Sequence, residues 1–341
     1  MAQINKPEDY FNTKLYTGNG GTQSVTGVGF QPDFTWIKIR NGSAWYILTD
    51  AVRGVNSQLY SNDGSVEGTL TNYIQSFDSD GFTLGTNSDV NGSSDTYASW
   101  NWLGANTTAS NTDGSITSTV SANTTSGFSI VSYTGTGSNA TIGHGLGSVP
   151  KMIIVKNRDN TEEWKVYHAS LGSTLFLRLN SSTGQTSSAT YQWNGTTPTS
   201  SVFSVGEGNS TNTTDYIAYC FAEKKGFSKF GSYVGNGNAD GTFVYTGFKP
   251  AFVMVKSIGT EGWYLYDTKR TSSNGGNAVD KYLLANDPIA EGTFGAWDYL
   301  SNGFKARQNW SGNNTSGQSY IYMAFAENPL VGTNNIPATA R

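Results

Sequence analysis

The feature that most constrains the fold of this chain is an internal triplication. A glycine, a proline three residues later, an apolar run and a lysine recur in this order three times among the 341 residues. The copies are anchored by Pro32, Pro150 and Pro250 and by Lys38, Lys156 and Lys256. Both sets of anchors are 118 and then 100 residues apart. Because order and spacing recur together, the sequence predicts three copies of one unit of about 100 residues.

Within each copy the pattern is that of β-structure. Short runs rich in aromatic and β-branched residues are separated by Gly, Asn, Asp and Ser turns, and no long 3.6-residue periodicity is present. We therefore expect an all-β chain of three tandem homologous β-sandwich-like domains. They would cover residues 1–109, 110–225 and 226–330, followed by a C-terminal tail over residues 331–341.

The spacing between the copies is uneven. Residues 105–127 are rich in Ser, Thr and Asn and contain no aromatic residue until the next copy begins, which is typical of a linker. Alternatively, residues 115–120 could pair as a strand with residues 128–133. Copies two and three meet without a spacer at residues 224–226. We expect an uneven row in which these two form a rigid pair, rather than a ring about a pseudo-threefold axis.

A tryptophan follows each proline at a nearly constant distance, at Trp45, Trp164 and Trp263. We expect these tryptophans to be equivalent core or near-core positions, and the three prolines to be equivalent structural positions.

The strand that closes each copy has two unlike faces. In copy two, Ile217, Tyr219 and Phe221 alternate with Ala218, Cys220 and Ala222, and a strand points alternate side chains to opposite sides. Copy three repeats the small residues at Ala324 and Ala326. The small-residue face is predicted to make close domain or subunit contact, and Cys220 is predicted to be a buried, inert filler.

Composition and charge exclude several classes of function. Lys and Arg total 21 against 25 Asp and Glu, a net charge of −4 that does not fit a nucleic-acid or anionic-membrane surface. No run approaches 18 apolar residues, so no membrane insertion is expected. One cysteine excludes an internal disulfide and a cysteine-based zinc site. We expect no metal, no cofactor and no enzymatic activity.

Few residues suggest chemistry. His144 is interpreted as a hydrogen-bonding turn residue and His168 as the end of a surface strand, because neither has an evident nucleophile to serve. Asp50 and Arg53 of copy one recur as Asp267 and Arg270 of copy three, where a local ion pair or turn is predicted; copy two has His168 and Leu171 instead. Asp78 and Asp80 look like the start of a calcium loop, but its remaining ligands are absent and a turn is favoured.

The loop before each closing strand is rich in asparagine. In copy three it contains Asn309, Trp310 and Asn313, and copy two contributes Trp193. Amide groups beside an aromatic ring can hydrogen-bond and stack on a sugar, so these four residues are the candidate ligand-binding positions. The alternative is a hairpin loop whose polar residues keep it soluble.

Four stretches carry a resemblance to a known repeat family. They are residues 16–38 (YTGNGGTQSVTGVGFQPDFTWIK), 141–158 (TIGHGLGSVPKMIIVKNR), 216–233 (YIAYCFAEKKGFSKFGSY) and 322–341 (YMAFAENPLVGTNNIPATAR). They resemble tail-fibre-like virion proteins of tailed phages, especially marine and cyanobacterial ones, over nearly the whole chain. The resemblance implies a virion structural protein of the fibre or appendage type, and it supplies no catalytic residue.

The resemblance also implies partners and a location. Fibre proteins of this kind are commonly trimers, so a homotrimer that contacts other virion proteins is expected, with a host-surface glycan as a further partner. The N-terminal residues lack the apolar core of a signal peptide, which fits production in the host cytoplasm followed by release with the virion. The alternatives are a lectin-like glycan-binding array, a capsid decoration protein and a polysaccharide depolymerase.

Overall fold

The structure is a computed structural model that describes residues 3–272 and 277–332. Residues 333–341 of the predicted C-terminal tail lie outside the described residues. Strands dominate, and the helical segments in the described ranges are two 3-10 turns, Pro7–Asp9 and Glu207–Asn209, and one four-residue helix. The prediction of an all-β fold is confirmed.

Unit 1, residues 11–102, consists of two packed sheets. The larger has the order β1-β9-β3-β4-β5-β6 and the smaller β2-β8-β7. Their facing side chains, among them Ile37 and Phe82, form a core private to this unit. The strands are β1 (Phe11–Thr17), β2 (Gln23–Thr26), β3 (Phe34–Ile39), β4 (Ile47–Asp50), β5 (Ser57–Tyr60), β6 (Gly68–Thr69), β7 (Ile74–Asp78), β8 (Gly81–Leu84) and β9 (Thr96–Trp102), with helix α1 (Ser88–Asn91) before the last.

Unit 2, residues 109–222, has an eight-stranded sheet and a two-stranded sheet. The orders are β10-β11-β12-β19-β14-β15-β16-β17 and β13-β18. Phe203 of the small sheet and Ile153 of the large one belong to the private core. The strands are β10 (Ala109–Asn111), β11 (Ser118–Asn123), β12 (Phe128–Thr134), β13 (Ala140–Gly143), β14 (Pro150–Asn157), β15 (Lys165–His168), β16 (Leu175–Arg178), β17 (Thr186–Ser187), β18 (Val202–Val205) and β19 (Asp215–Ala222).

Unit 3, residues 228–329, has one eight-stranded sheet that folds back on itself. Its order is β20-β27-β22-β23-β24-β25-β26-β21. Phe304 and Val253, from opposite parts of this sheet, share the private core. The strands are β20 (Ser228–Val234), β21 (Phe243–Tyr245), β22 (Phe248–Ser257), β23 (Trp263–Asp267), β24 (Ala278–Leu284), β25 (Gly292–Leu300), β26 (Gly303–Ala306) and β27 (Ser319–Pro329).

The same strand order recurs in the three units. The series β1-β9-β3-β4-β5 is matched by β12-β19-β14-β15-β16 and by β20-β27-β22-β23-β24. The register also recurs: Phe34, Met152 and Phe252 pair with Trp102, Phe221 and Phe325 of the closing strands. Pro32, Pro150 and Pro250 each stand two residues before the first member of these pairs, so the three prolines occupy matching positions.

The bulky faces of the three closing strands meet in a single core that all units share. This common core contains Trp100 and Trp102 from unit 1, Tyr219 and Phe221 from unit 2, and Met323 and Phe325 from unit 3. The expected uneven row with unit 1 set apart is therefore wrong. Apolar faces of this size would be costly to leave in water, and burying them against one another draws the units together.

The small-residue faces lie on the other side of the closing strands. Ala218, Cys220 and Ala222 belong to the private core of unit 2, and Ala324 and Ala326 to that of unit 3. The prediction that this face makes contact between domains or subunits is wrong. Small side chains here leave room for the large residues of the opposing layer, such as Phe203.

Most of the segment 105–127, from residue 109 onward, is part of the fold of unit 2. Strand β11 pairs with β12, with Thr119 opposite Ser132, which agrees with the alternative of strand pairing. The carboxylate of Asp33 in unit 1 accepts hydrogen bonds from the backbone N–H of Gly104 (2.7 Å) and Asn106 (3.1 Å). The linker interpretation is wrong, because β-pairing and these bonds tie a polar segment down without apolar side chains.

The tryptophan prediction needs one correction. Trp164 and Trp263 are buried in the common core, but Trp45 is 40% exposed. The backbone N–H groups of Trp164 and Trp263 donate to the side chains of Asn180 and Asn286, and in unit 1 the matching bond runs from Tyr46 to Asn62. Tyr46 therefore fills the equivalent core position, and Trp45, one residue earlier, points to the opposite side.

Candidate functional site

The seam between units 1 and 2 contains a buried ionic network. Arg53 contacts Asp50 at 2.6 Å and Glu67 at 2.9 Å, and Glu67 also binds Arg158 of unit 2 at 2.8 Å. The Tyr219 hydroxyl of unit 2 donates to Asp50 at 2.8 Å. Burial lowers the pKa of Arg53, but Asp50, Tyr219 and Glu67 together raise it above its usual value. The guanidinium stays charged and joins the two units.

The seam between units 3 and 1 repeats this network. Arg270 contacts Asp267 at 2.6 Å and Glu291 at 3.1 Å, and Glu291 also binds Arg40 of unit 1 at 2.9 Å. The indole N–H of Trp100 in unit 1 donates to Asp267 at 3.0 Å. The predicted Asp–Arg ion pairs of copies one and three are thus present, and both serve contacts between units.

The seam between units 2 and 3 replaces charge with a neutral histidine. His168 Nε2 lies 3.2 Å from the backbone oxygen of Tyr322, in the place where the other seams have an aspartate. Burial lowers the pKa of His168 to about 4, so the ring is neutral. The prediction of a surface strand end is wrong for His168, because this end of its strand is buried against unit 3.

One backbone bond recurs at every seam. The N–H of Glu67 donates to Arg158, that of Gln185 to Ile258, and that of Glu291 to Arg40. The contacts therefore run from unit 1 to 2, from 2 to 3 and from 3 to 1. Contacts in this cyclic order close the three units about a pseudo-threefold axis.

The arrangement at the seams is suited to holding units together. Asp50, Arg53, Asp267 and Arg270 are fully buried and already paired, so a substrate has no access to them. Within residues 3–272 and 277–332, no group of three or more His, Cys, Asp and Glu side chains is placed to hold a metal ion. None of the helices in these ranges is long and apolar enough to cross a membrane.

Most of the remaining polar candidates fix local turns. His144 is buried, with Nε2 3.2 Å from the Thr199 oxygen and Nδ1 accepting from the Leu146 N–H, which agrees with a turn role. The carboxylate of Asp80 accepts from the backbone N–H of Gly27 and Gly29 at 2.9 and 2.7 Å, and these bonds lower its pKa. Both side chains stabilise the loops that hold the small sheets in place.

Cys220 is also enclosed. It is fully buried in the private core of unit 2, and burial raises the pKa of its thiol far above the usual value. A thiol held neutral in this way is a poor nucleophile.

The four predicted ligand-binding residues do not come together. Trp193 is 1% exposed and packs in the private core of unit 2, 5.8 Å from the Tyr167 ring, so the prediction that it contacts a ligand is wrong. Asn313 is buried, and its backbone oxygen accepts a 2.7 Å bond from Tyr233. Asn309 is exposed and Trp310 half-buried on unit 3. Trp193 lies in a different unit from the other three.

Trp310 belongs to an aromatic cluster on the outer side of unit 3. Its ring centroid lies 4.6 Å from Tyr264, 4.7 Å from Phe294 and 5.5 Å from Tyr282. Most of this aromatic surface is used for packing within the unit. The cluster leaves Phe294 as its most exposed member.

A groove on the outer side of unit 2 was missed by the sequence analysis. It has a volume of about 520 Å³ and is lined by Lys165, Phe176, Arg178 and Tyr191, with Gln192 at one end. Tyr191 stands two residues before the buried Trp193. The sequence pattern predicted Trp193 as the ligand-binding aromatic residue, but in the fold Trp193 is buried and Tyr191 is exposed.

Comparison with known protein families gives a match over most of the chain. The family described as "Domain of unknown function (DUF7483)" matches residues 6–329. No curated protein matches the chain.

Proposed function

The chain belongs to the DUF7483 family over residues 6–329, and we propose that it is a structural protein of a tailed-phage virion, of the fibre or appendage type. The proposal includes contact with other virion proteins and with the host surface. The proposed location on a virion rests on the resemblance carried by residues 16–38, 141–158, 216–233 and 322–341. The proposed structural role rests on the way the three units are joined.

The observation that carries the structural role is the common core closed by three seams. Trp36, Trp164 and Trp263 are fully buried in it, one from each unit. The indole N–H of Trp164 donates to the Tyr60 oxygen of unit 1 at 2.8 Å, and that of Trp263 to the Arg178 oxygen of unit 2 at 2.7 Å. Such a body resists deformation, because no unit can move without opening a core of aromatic residues.

The ionisable groups favour this role over catalysis. Asp50, Arg53, Asp267 and Arg270 are already paired in the seams, and each of the two histidines lies within hydrogen-bond distance of a backbone oxygen. A polysaccharide depolymerase would need a pair of carboxyl groups facing a cleft. We therefore retain the proposal of a non-enzymatic protein, and a release of reducing ends from host polysaccharide would contradict it.

A second candidate function, glycan binding, is favoured by the groove of unit 2. Its exposed tyrosine and its polar side chains are the groups that a sugar site uses. Glycan binding and a place on the virion are compatible, because an appendage that meets the host needs a receptor site.

Immunogold labelling of purified phage particles tests the proposed location. Antibodies raised against the recombinant chain should label a tail appendage on particles of the phage that encodes the chain, and mass spectrometry should find its peptides in the same particles. Particles from a phage with the gene disrupted are the control. Label on the head would support capsid decoration instead, and a chain abundant in the lysate but absent from particles would overturn the virion proposal.

A further inference from the structure

The groove of unit 2 lies between two neighbouring strands and a loop. Lys165 and Arg178 are cross-strand partners on β15 and β16, and the opposite wall is formed by residues 186–192, which are β17 and the loop after it. Phe176, which is 4% exposed, forms the floor between them. The groove therefore has a rigid base of paired strands, as a preorganised binding site requires.

Both cations sit over the aromatic floor. The Lys165 ammonium lies 5.7 Å and the Arg178 guanidinium carbon 4.8 Å from the centroid of the Phe176 ring. Arg178 is ion-paired with Glu163, from which Lys165 Nζ lies 3.9 Å away. Glu162 also interacts with Lys165. The charged side chains that line the groove itself are those of Lys165 and Arg178, and these cations are placed to meet an anion.

Tyr191 supplies an open aromatic surface beside these cations. One edge of its ring packs on Gly208, where an added Cβ would come within 2.6 Å of Cε1. The side chain is nevertheless 57% exposed. A ring held on one side and open on the other can stack on a flat apolar surface of a ligand.

Two polar atoms at the loop end of the groove have no hydrogen-bond partner among the described residues. They are Oε1 of Gln192, a residue that is only 4% exposed, and Oγ of Ser188. A buried polar atom without a partner costs free energy, which a ligand that donates a hydrogen bond would recover. Hydroxyl groups are donors of this kind.

The other units lack this combination at the same place. In unit 1 the positions of Lys165 and Arg178 are taken by Ile47 and Tyr60, which pair in the same register. In unit 3 they are taken by Tyr264 and Leu284. The cations are thus specific to unit 2, and strand geometry alone does not require them.

We propose that this groove binds an anionic saccharide, a sugar chain that carries carboxylate or sulfate groups. The sugar ring stacks on Tyr191, its hydroxyls bond Gln192 and Ser188, and its anionic group lies at Lys165 and Arg178. The inference rests on the proposed contact with the host surface and names the class of receptor; its test does not depend on where the chain sits in a particle.

Affinity electrophoresis of the purified full chain is the test. Alginate supplies carboxylates, dextran sulfate supplies sulfates, and dextran is the neutral control. We expect retardation by at least one anionic polymer and none by dextran, and isothermal titration should give a dissociation constant that rises with salt. Retardation by all three alike, or by none, would overturn the proposal.

Matched variants locate the site. Tyr191→Ala and Lys165→Gln should each weaken binding by about tenfold or more. Tyr245→Ala removes a tyrosine of unit 3 with the same 57% exposure, and Lys281→Gln removes a lysine of that unit; both should bind as the unaltered chain does. Thermal unfolding of each variant confirms its fold. If the Tyr191 and Lys165 variants bind as tightly as the unaltered chain, the ligand lies elsewhere and the assignment is overturned.

The outcome is separable from that of the virion proposal. Particles that contain the chain while the chain binds no anionic polymer would reject the saccharide site only. Specific binding by a chain that is absent from particles would reject the virion location only.

Discussion

His168 is the residue at which unit 2 departs most clearly from its neighbours. Asp50 and Asp267, at the matching positions, each accept a hydrogen bond from a side chain of the next unit, Tyr219 or Trp100. Unit 3 offers Met323 at that position, which cannot donate. A neutral histidine reaches the neighbouring backbone oxygen of Tyr322 instead, so the seam stays satisfied without a buried charge.

This histidine should make the protein sensitive to acid. Its pKa is about 4 in the folded chain and about 6.5 when unfolded, so stability is complete above pH 6.5 and is lost as the pH falls toward 4. The expected loss between pH 7 and 4 is about 3 kcal/mol. Urea unfolding of His168→Gln at both pH values should show a smaller loss by that amount. An unchanged pH dependence in His168→Gln would contradict the prediction.

Unlike His168, the three motif lysines are buried in their charged form at neutral pH. Lys38, Lys156 and Lys256 are fully buried, and burial lowers the pKa of each to about 8. Their ammonium groups donate to backbone oxygens, for example Lys38 to Pro288 of unit 3 at 3.0 Å and Lys256 to Gly259 at 2.8 Å. These bonds compensate part of the cost of a buried charge.

We expect stability to rise with pH through this range. Above pH 8 the folded lysines release protons, whereas the unfolded ones hold theirs up to about pH 10.5, so the unfolded state binds more protons and becomes less favourable. From pH 7.5 to 9 each lysine should contribute about 1 kcal/mol. Urea unfolding of Lys156→Met should show a rise that is about a third smaller. In Lys6→Met, a control at an exposed position, the rise should equal that of the unaltered chain. A flat profile in the unaltered chain would refute the expectation.

At the scale of elements, the closing strands decide the architecture. In β9, β19 and β27 alternate side chains serve two cores, a private one and the common one. The alternation was readable from the sequence. Which face meets another unit was not readable, because either face could in principle be covered by a small sheet or by a neighbour.

The tryptophans that follow the motif provide a test of this architecture. Trp164→Ala and Trp263→Ala remove fully buried indoles, and each should cost about 3–5 kcal/mol of unfolding free energy. Trp45→Ala removes an exposed indole and should cost less than about 1 kcal/mol. Chemical denaturation of the three variants measures this directly. A large loss for Trp45 and a small one for Trp164 would mean that the core positions are assigned wrongly.

In the asparagine-rich loops, too, the sequence predicted the residue types but not their roles. The residues predicted to bind a ligand were chosen because amides and aromatic rings cluster in sequence. In the fold, Asn91 and Asn314 of these loops bond backbone oxygens: the Asn91 amide donates to Gly85 at 2.8 Å and the Asn314 amide to Asn238 at 2.8 Å. The sequence alone does not distinguish polar side chains that hydrogen-bond the backbone of their own loop from polar side chains that are free to bind a ligand.

At the scale of the whole molecule, the common core should make unfolding cooperative. Because every unit contributes side chains to it, no unit can unfold without exposing apolar surface of the other two. Differential scanning calorimetry should therefore show one transition, with equal calorimetric and van't Hoff enthalpies. In Trp164→Ala the whole transition should shift down. Two or three resolved transitions would show that the units are energetically independent.

The association of three chains into a homotrimer remains a prediction, made from the resemblance to tail-fibre-like proteins. The small-residue face suggested for subunit contact is buried inside units 2 and 3, so a trimer would need another surface. Sedimentation equilibrium at micromolar concentration distinguishes a species of three times the chain mass from a monomer. A monomer would fit a chain that already contains its own pseudo-threefold axis.

The sequence by itself determined the strand-rich fold, the threefold repetition and the matching positions of Pro32, Pro150 and Pro250. These properties are local or periodic, since alternation, turn residues and spacing act over a few residues or repeat along the chain. Only the tertiary structure decided that the repeats form a ring, that Tyr46 rather than Trp45 enters the core, and that Tyr191 stands open beside Lys165. Each of these depends on contacts between residues far apart in sequence, and the free energy of burying large apolar faces selects them after the strands have formed.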